Sequence, residues 1–217
     1  GRPQFNPLIV HVADAAMAGR YARFEPVAEE LAARFWPGPL TLVLPMLRDA
    51  PLASLVTAGL PTVALRVPAH PAMQGVIRAL DRGVAAPSAN ASGRLSPTRA
   101  EHVAASLPDV PLILDAGQTS VGLESSIVAV TDGKALLLRQ GGLAAETIAA
   151  VSGSLDVAAK DAPVSAPGML LRHYAPLLPL HLNMEQAPAN WWHIGFGSIP
   201  GNENLSVAGD VAEAAAN

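Results

Sequence analysis

The chain has 217 residues, of which half are hydrophobic and 15% charged, and its net charge is −4. This composition supports a buried core and excludes a disordered chain, and the lack of a basic block argues against a protein whose affinity comes from neutralising nucleic-acid phosphates. Cysteine is absent, which removes disulfides, thiol nucleophiles and cysteine-held metals. No apolar run is long enough for a membrane helix, so a soluble cytoplasmic protein is expected.

The elements follow in chain order. Residues 5–12 climb through an apolar run and predict a strand, although Arg2, Asn6 and His11 punctuate it. Residues 26–35 carry helical spacing at Val27, Leu31, Ala32 and Phe35, with Pro26 in the first turn. Residues 40–44 and 61–68 predict strands, the second bracketed by prolines. A helix is expected over 70–80, and residues 83–93 begin as a short strand and become a loop of small residues. Another helix is expected over 99–107, where Thr98 and Glu101 have capping-box spacing. Residues 112–115 predict a strand. The stretch SSIVAVTDGKALLLRQGG predicts two strands joined by an Asp132-Gly133 turn, and a helix follows near 144–151.

From Ser152 to Pro179 the chain is proline-rich with little periodicity. The expected organisation is a main domain over 1–160, a linker over 161–179, and the start of a second domain over 180–217. There LPLHLN and WWHIGFGS each predict a strand and a last helix begins. Strands and helices in this mixture, with at least one hairpin, point to an α/β (α+β) fold with a mixed, partly antiparallel sheet flanked by helices, plus the start of a small α/β accessory domain.

Polar residues inside these elements carry the functional signal. Arg66 lies in an apolar strand, where it points to solvent or faces inward to a partner or ligand, because an unpaired buried charge is costly. Arg139 precedes Gly141 and Gly142. It is either a strand-end residue beside a turn or, with the turn's backbone donors, part of a phosphate cradle. PSANASG supplies free hydroxyls and amides but is also an ordinary turn sequence. GLESSIV places Glu124, Ser125 and Ser126 at a strand entrance. No nucleophile elbow is present and the histidines lack zinc-site spacing, so serine hydrolysis and a zinc centre are not expected.

Taken in order, NPLIVH, FWPGPLTLVL, TVALRVPAHP, APSANASGRLSPT, GLESSIV, LLRQGG and APGMLLRHYAP resemble the threonylcarbamoyl-AMP synthase family, also called YrdC-like, over about residues 1–176. The APGMLLRHYAP linker is similar to that of the longer, two-domain form. In this family a basic K-x-R element precedes NPLIVH. The resemblance therefore implies that Arg2 is its arginine, and that an N-terminal segment and the end of the accessory domain are missing. On this reading the chain as given cannot complete its active site.

The resemblance implies synthesis of L-threonylcarbamoyladenylate from L-threonine, bicarbonate or CO2 and ATP, with release of pyrophosphate, for threonylcarbamoyladenosine modification of tRNA. It implies ATP contacts at Arg2, Asn6, Thr62, Ser88, Ser96, Arg139 and Tyr174, with Tyr174 acting as a lid. It implies L-threonine contacts at His11, Arg66, Ala86 and Ser125, His11 being otherwise a satisfied strand-end histidine. No catalytic nucleophile is implied, and catalysis is by positioning. Magnesium is expected to arrive with ATP, with no protein ligand assigned. tRNA or tRNA-modification proteins are expected partners, and no membrane. The alternatives are an RNA-binding YrdC-like module without catalysis and a related carbamoyltransferase.

Overall fold

In a computed structural model, described for residues 6–159, 163, 165–167 and 178–217, the elements run β1 (Ile9–His11), α1 (Ala15–Ala18), α2 (Pro26–Phe35), β2 (Leu40–Pro45), α3 (Ser54–Thr57), β3 (Thr62–Arg66), α4 (Pro71–Leu80), β4 (Val84–Ala86), α5 (Ala100–Ser106), β5 (Ser126–Thr131), β6 (Lys134–Arg139), α6 (Ala145–Ser152), β7 (Asp156–Val157), β8 (Ile194–Gly195), β9 (Glu203–Asn204) and α7 (Val211–Ala216). They fall into two compact units, Gly1–Ser88 with Glu124–His173 and Ala89–Leu123 with Tyr174–Asn217.

The first unit is built on a seven-stranded sheet in the order β4-β1-β3-β2-β5-β6-β7. Strands β1 and β3, β2 and β5, and β6 and β7 are parallel, and the other neighbours are antiparallel. The mixed sheet flanked by helices is the architecture the sequence predicts. Helix α2 matches its predicted bounds, with Pro26 in its first turn and Ala28, Leu31 and Ala32 buried. The Asp132-Gly133 turn also forms, with both residues at positive φ (52° and 72°), the left-handed geometry that a tight hairpin demands.

Side chains alternate across a strand, so the sheet has two distinct faces. One face carries Val10, Leu40, Leu42, Leu44, Val63, Leu65, Val128, Val130, Ala135 and Leu137, which pack with α2, Ile77 and Ile148 in the main core. The other carries Ile9, Val43, Ala64 and Ile127, with Ala166 laid against them. The second face is the smaller apolar patch and it is bordered by polar side chains.

One irregularity decides which side chains reach that second face. Val128 pairs with Leu137 but Ile127 pairs with Arg139, leaving Leu138 as an extra residue in β6. Strict alternation from Leu137 would aim Arg139 at the main core. The bulge re-aims it to the face of Ile127.

Within the second unit, α7 is capped by Asp210, which accepts from the Ala212 and Glu213 amides, and β8 pairs with β9 in parallel. Several expectations are corrected here. Residues 112–115 form no strand: no described strand pairs with them, and Leu112 and Leu114 remain exposed. LPLHLN forms none either, with Leu178, Leu180 and Leu182 exposed and Asn183 at a positive φ of 60° that breaks extension. WWHIGFGS contributes only the two residues of β8. Helix α5 starts one residue late, with Arg99 at its N-cap and no side-chain cap. The Thr98 hydroxyl instead lies 3.3 Å from His102 Nδ1, so the capping box does not form. No helix among the described residues is long and apolar enough to cross a membrane.

Leu65 is fully buried at the middle of the first unit's sheet. Leu65→Ala is expected to lower the unfolding free energy by about 2–5 kcal/mol in urea denaturation, whereas truncating exposed Leu114 should change it by less than about 0.5 kcal/mol.

Candidate functional site

Because β1 and β3 run one way while β2, β4 and β5 run the other, the ends of β1, β3 and β6 meet the beginnings of β2, β4 and β5 at one edge of the sheet. His11 and Arg66 are register partners at the ends of β1 and β3. Ser125 precedes β5 and Arg139 ends β6. All four point to the face that carries Ile9 and Ile127.

Arg139 is 9% exposed and is held by several acceptors. Its Nε and Nη2 donate to the Ser125 carbonyl at 3.1 and 2.8 Å, Nη2 donates to Ser125 Oγ at 3.1 Å, and Nη1 donates to the Pro167 carbonyl at 3.2 Å. Glu124 Oε2 lies 3.4 Å from Nη2. The turn after β6 fixes the same segment from behind. The Gly142 amide donates to the Glu124 carbonyl at 2.8 Å, and a Cβ on Gly141 would collide with the backbone of Glu124, Ser125 and Ser126. The glycine pair therefore turns its Gly142 amide inward, where it clamps the Glu124 carbonyl.

Arg66 is half-buried and donates Nε to the Gly38 carbonyl at 3.0 Å. That carbonyl is presented by the WPGPL loop, which is tied down by Trp36 Nε1 donating to the Leu40 carbonyl at 2.8 Å and by the Gly38 amide donating to Val67. Among the described residues no acceptor meets the two terminal nitrogens of Arg66. Burial pulls its pKa below the ordinary arginine value and nearby Arg139 adds to this, while Glu124 opposes it.

His11 sits 3.3 Å through Nδ1 from the Val84 carbonyl. Burial first, and then the Arg66 charge, lower its pKa from 6.5 to about 4, so the ring is neutral at pH 7. A neutral ring facing a carbonyl through Nδ1 carries its proton there, which leaves Nε2 as an acceptor. Among the described residues, two guanidinium groups stand against the Glu124 carboxylate, an excess of positive charge in a chain of net charge −4. An anion is the complementary occupant.

The remaining sequence-assigned residues are placed differently. Thr62 and Ala86 share the second face, but Thr62 pairs with Pro45 at the far end of β3, about 13 Å along the strand from Arg66, and Ala86 pairs with Ile9. Asn6 is buried just ahead of β1. Ser88 is exposed beyond β4, and Ser96 belongs to the second unit. Arg2 and Tyr174 lie outside the described residues. Sequence reasoning did not single out Thr41, whose hydroxyl is 2.8 Å from Ser125 Oγ, nor the Gly38 carbonyl. The signal for Thr41 was a hydroxyl set in the otherwise apolar LTLVL run.

The Sua5/YciO/YrdC family model, described as telomere recombination, matches residues 1–141. The chain belongs to the Sua5/YciO/YrdC family. Within it, the chain is 45% identical to the threonylcarbamoyl-AMP synthase of Bacillus subtilis, over 89% of this chain and 57% of that one. It is 46% identical to the threonylcarbamoyl-AMP synthase of Pyrococcus abyssi, over 81% of this chain and 53% of that one. Among solved structures it is similar to P. abyssi Sua5 complexed with L-threonine, at 36% identity and a TM-score of 0.82, covering 100% of this chain and 70% of that one. The chain spans about half the length of the curated relatives it matches.

Two outcomes test this geometry. Gly141→Ala is expected to destabilise the chain by about 1–3 kcal/mol through overpacking, read by chemical denaturation. For His11 the folded pKa lies below the unfolded one, so the unfolded state binds more protons between them. Its contribution is complete above pH 6.5 and is lost as the pH falls toward about 4. Between pH 7 and 4, His11→Gln should lose less stability than the parent chain, and equal losses would refute the neutral, buried ring.

Proposed function

We propose that this chain is the catalytic portion of an L-threonylcarbamoyladenylate synthase. The observation that carries the reading is Arg66. It is half-buried, anchored through Nε to the Gly38 carbonyl, and has no acceptor for its terminal nitrogens among the described residues. A guanidinium held in that way recognises a carboxylate through two parallel hydrogen bonds. Beside it, Nε2 of neutral His11 accepts from the ligand's amine or hydroxyl, so the pair fits an amino acid with both ends satisfied. The structure of P. abyssi Sua5 complexed with L-threonine supports L-threonine as that amino acid.

In the reaction, the threonine nitrogen bonds to the carbon of CO2, drawn from bicarbonate, and loses one proton to give a carbamate. A carbamate oxygen then bonds to the α-phosphorus of ATP as the bond to the β-phosphate oxygen breaks, and pyrophosphate leaves. No protein nucleophile takes part. The protein's work is positioning and charge compensation, for which Arg66 and Arg139 supply fixed positive charge that costs no reorganisation during the reaction. Thr62, Ala86, Ser88 and Ser96 serve substrate contacts in this reading, as do Asn6, Arg2 and Tyr174. The donors at the site are cations and hydroxyls, and Glu124 is engaged by Arg139. Such a set suits an anion better than a bare divalent ion, and Mg2+ is accordingly proposed to travel on the phosphates of ATP with water as its other ligand. The adenylate is proposed to serve tRNA modification in the cytoplasm.

The test is calorimetric titration with L-threonine, coupled to pyrophosphate release from ATP and bicarbonate with and without the amino acid. Arg66→Ala is expected to weaken L-threonine binding about 10- to 100-fold without shifting the thermal midpoint by more than a few degrees. Unaltered threonine affinity in the folded variant, or pyrophosphate release indifferent to threonine, would sink the reading.

A further inference from the structure

Thr41 and Ser125 are 0% and 1% exposed, and their hydroxyl oxygens are 2.8 Å apart. The Thr41 hydroxyl has no other partner among the described residues. Ser125 Oγ also accepts from Arg139 Nη2 at 3.1 Å, and a guanidinium can only donate. The pair therefore holds two hydroxyl hydrogens and uses one of them internally. Whichever residue donates, the other is left with a hydrogen that no described protein atom accepts.

Two arrangements satisfy the bond, and they differ in where the spare hydrogen lies. If Ser125 donates, the spare hydrogen sits on Thr41, which is fully buried and whose hydroxyl has no described partner other than Ser125. If Thr41 donates, Ser125 Oγ accepts twice, once from a full positive charge. A hydroxyl polarised in that way becomes a stronger donor through its own hydrogen. Ser125 is also the one that adjoins Arg139 and Glu124, where ligand charge is expected.

From this we infer that Thr41 is a positioning residue. Its hydroxyl donates to Ser125 Oγ, and this directs the Ser125 hydrogen at an oxygen acceptor of the bound ligand. The group seated against Ser125 is accordingly an oxyanion, such as a carboxylate, carbamate or phosphate oxygen, and not an ammonium. Assigning that oxygen to threonine or its carbamate rests on the function proposed above. The direction of the hydrogen bond does not.

The direction is measured without ligand. In protein labelled with carbon-13 at Ser and Thr and dissolved in a mixture of H2O and D2O, a slowly exchanging hydroxyl splits its Cβ signal, whereas a fast one gives a single averaged line. Thr41 is expected to split and Ser125 to average. A split Ser125 signal beside an averaged Thr41 signal overturns the proposal whether or not the protein binds threonine. The consequence is then measured by titration with L-threonine. Thr41→Val should weaken binding about tenfold and Thr41→Ser should restore it to within about twofold, both at an unchanged thermal midpoint. Wild-type affinity in Thr41→Val, or equal losses in both variants, refutes a positioning role. If the parent chain binds no threonine at all, the functional reading fails and the exchange experiment still decides the direction.

Discussion

A single surplus residue in β6 determines where the Arg139 guanidinium goes. With Leu138 bulged out, Arg139 stands opposite Ile127 and shares its face. Without the bulge, the guanidinium would enter the layer of Leu137, Val128 and Leu42, where an uncompensated charge costs several kcal/mol. The local geometry follows from that choice. Arg139 in its observed place binds Ser125 through carbonyl and hydroxyl, engages Glu124, and leaves the Gly141-Gly142 turn to close over the same two residues.

The face so furnished is an economical use of strand alternation. The same strands that drive Val10, Leu42, Leu65 and Val128 into the main core deliver His11, Thr41, Arg66 and Ser125 to its opposite side. Mixed strand directions bring the polar ends to a common edge, which a purely parallel sheet would place differently. Neutral His11 is a product of this crowding: burial first, and then the Arg66 charge beside it, make a positive charge on the ring costly. The result is a graded surface with an apolar floor at Ile9, Ala64 and Ile127 and donors at its rim.

The elements legible in the sequence are those whose causes are local. Pro26 with the apolar spacing of α2 and the Asp132-Gly133 hairpin each carry their signal within a few residues, and both form as expected. The strand expected at residues 112–115 fails because a short apolar run alone does not supply a neighbour to pair with. Thr98 fails as a cap because His102, one helical turn on, competes for its hydroxyl. The site was legible in a different way. Motif resemblance pointed to His11, Arg66, Ser125 and Arg139, but their convergence depends on β1 lying beside β3 across some fifty residues of chain. The register shift at Leu138 and the Thr41 contact to Ser125 are tertiary events without a local signature.

Among the described residues the sheet ends on two very short strands, β4 with three residues and β7 with two. Sheet edges offer unpaired amides and carbonyls to any passing strand, and the number offered scales with edge length. Here the long, apolar strands β2, β3 and β5 lie inside, each covered by a neighbour on both sides. Among the described residues, the long apolar strands of this sheet are therefore closed to pairing with a strand of another molecule, and its open backbone is confined to β4, β7 and the part of β6 that β7 does not reach.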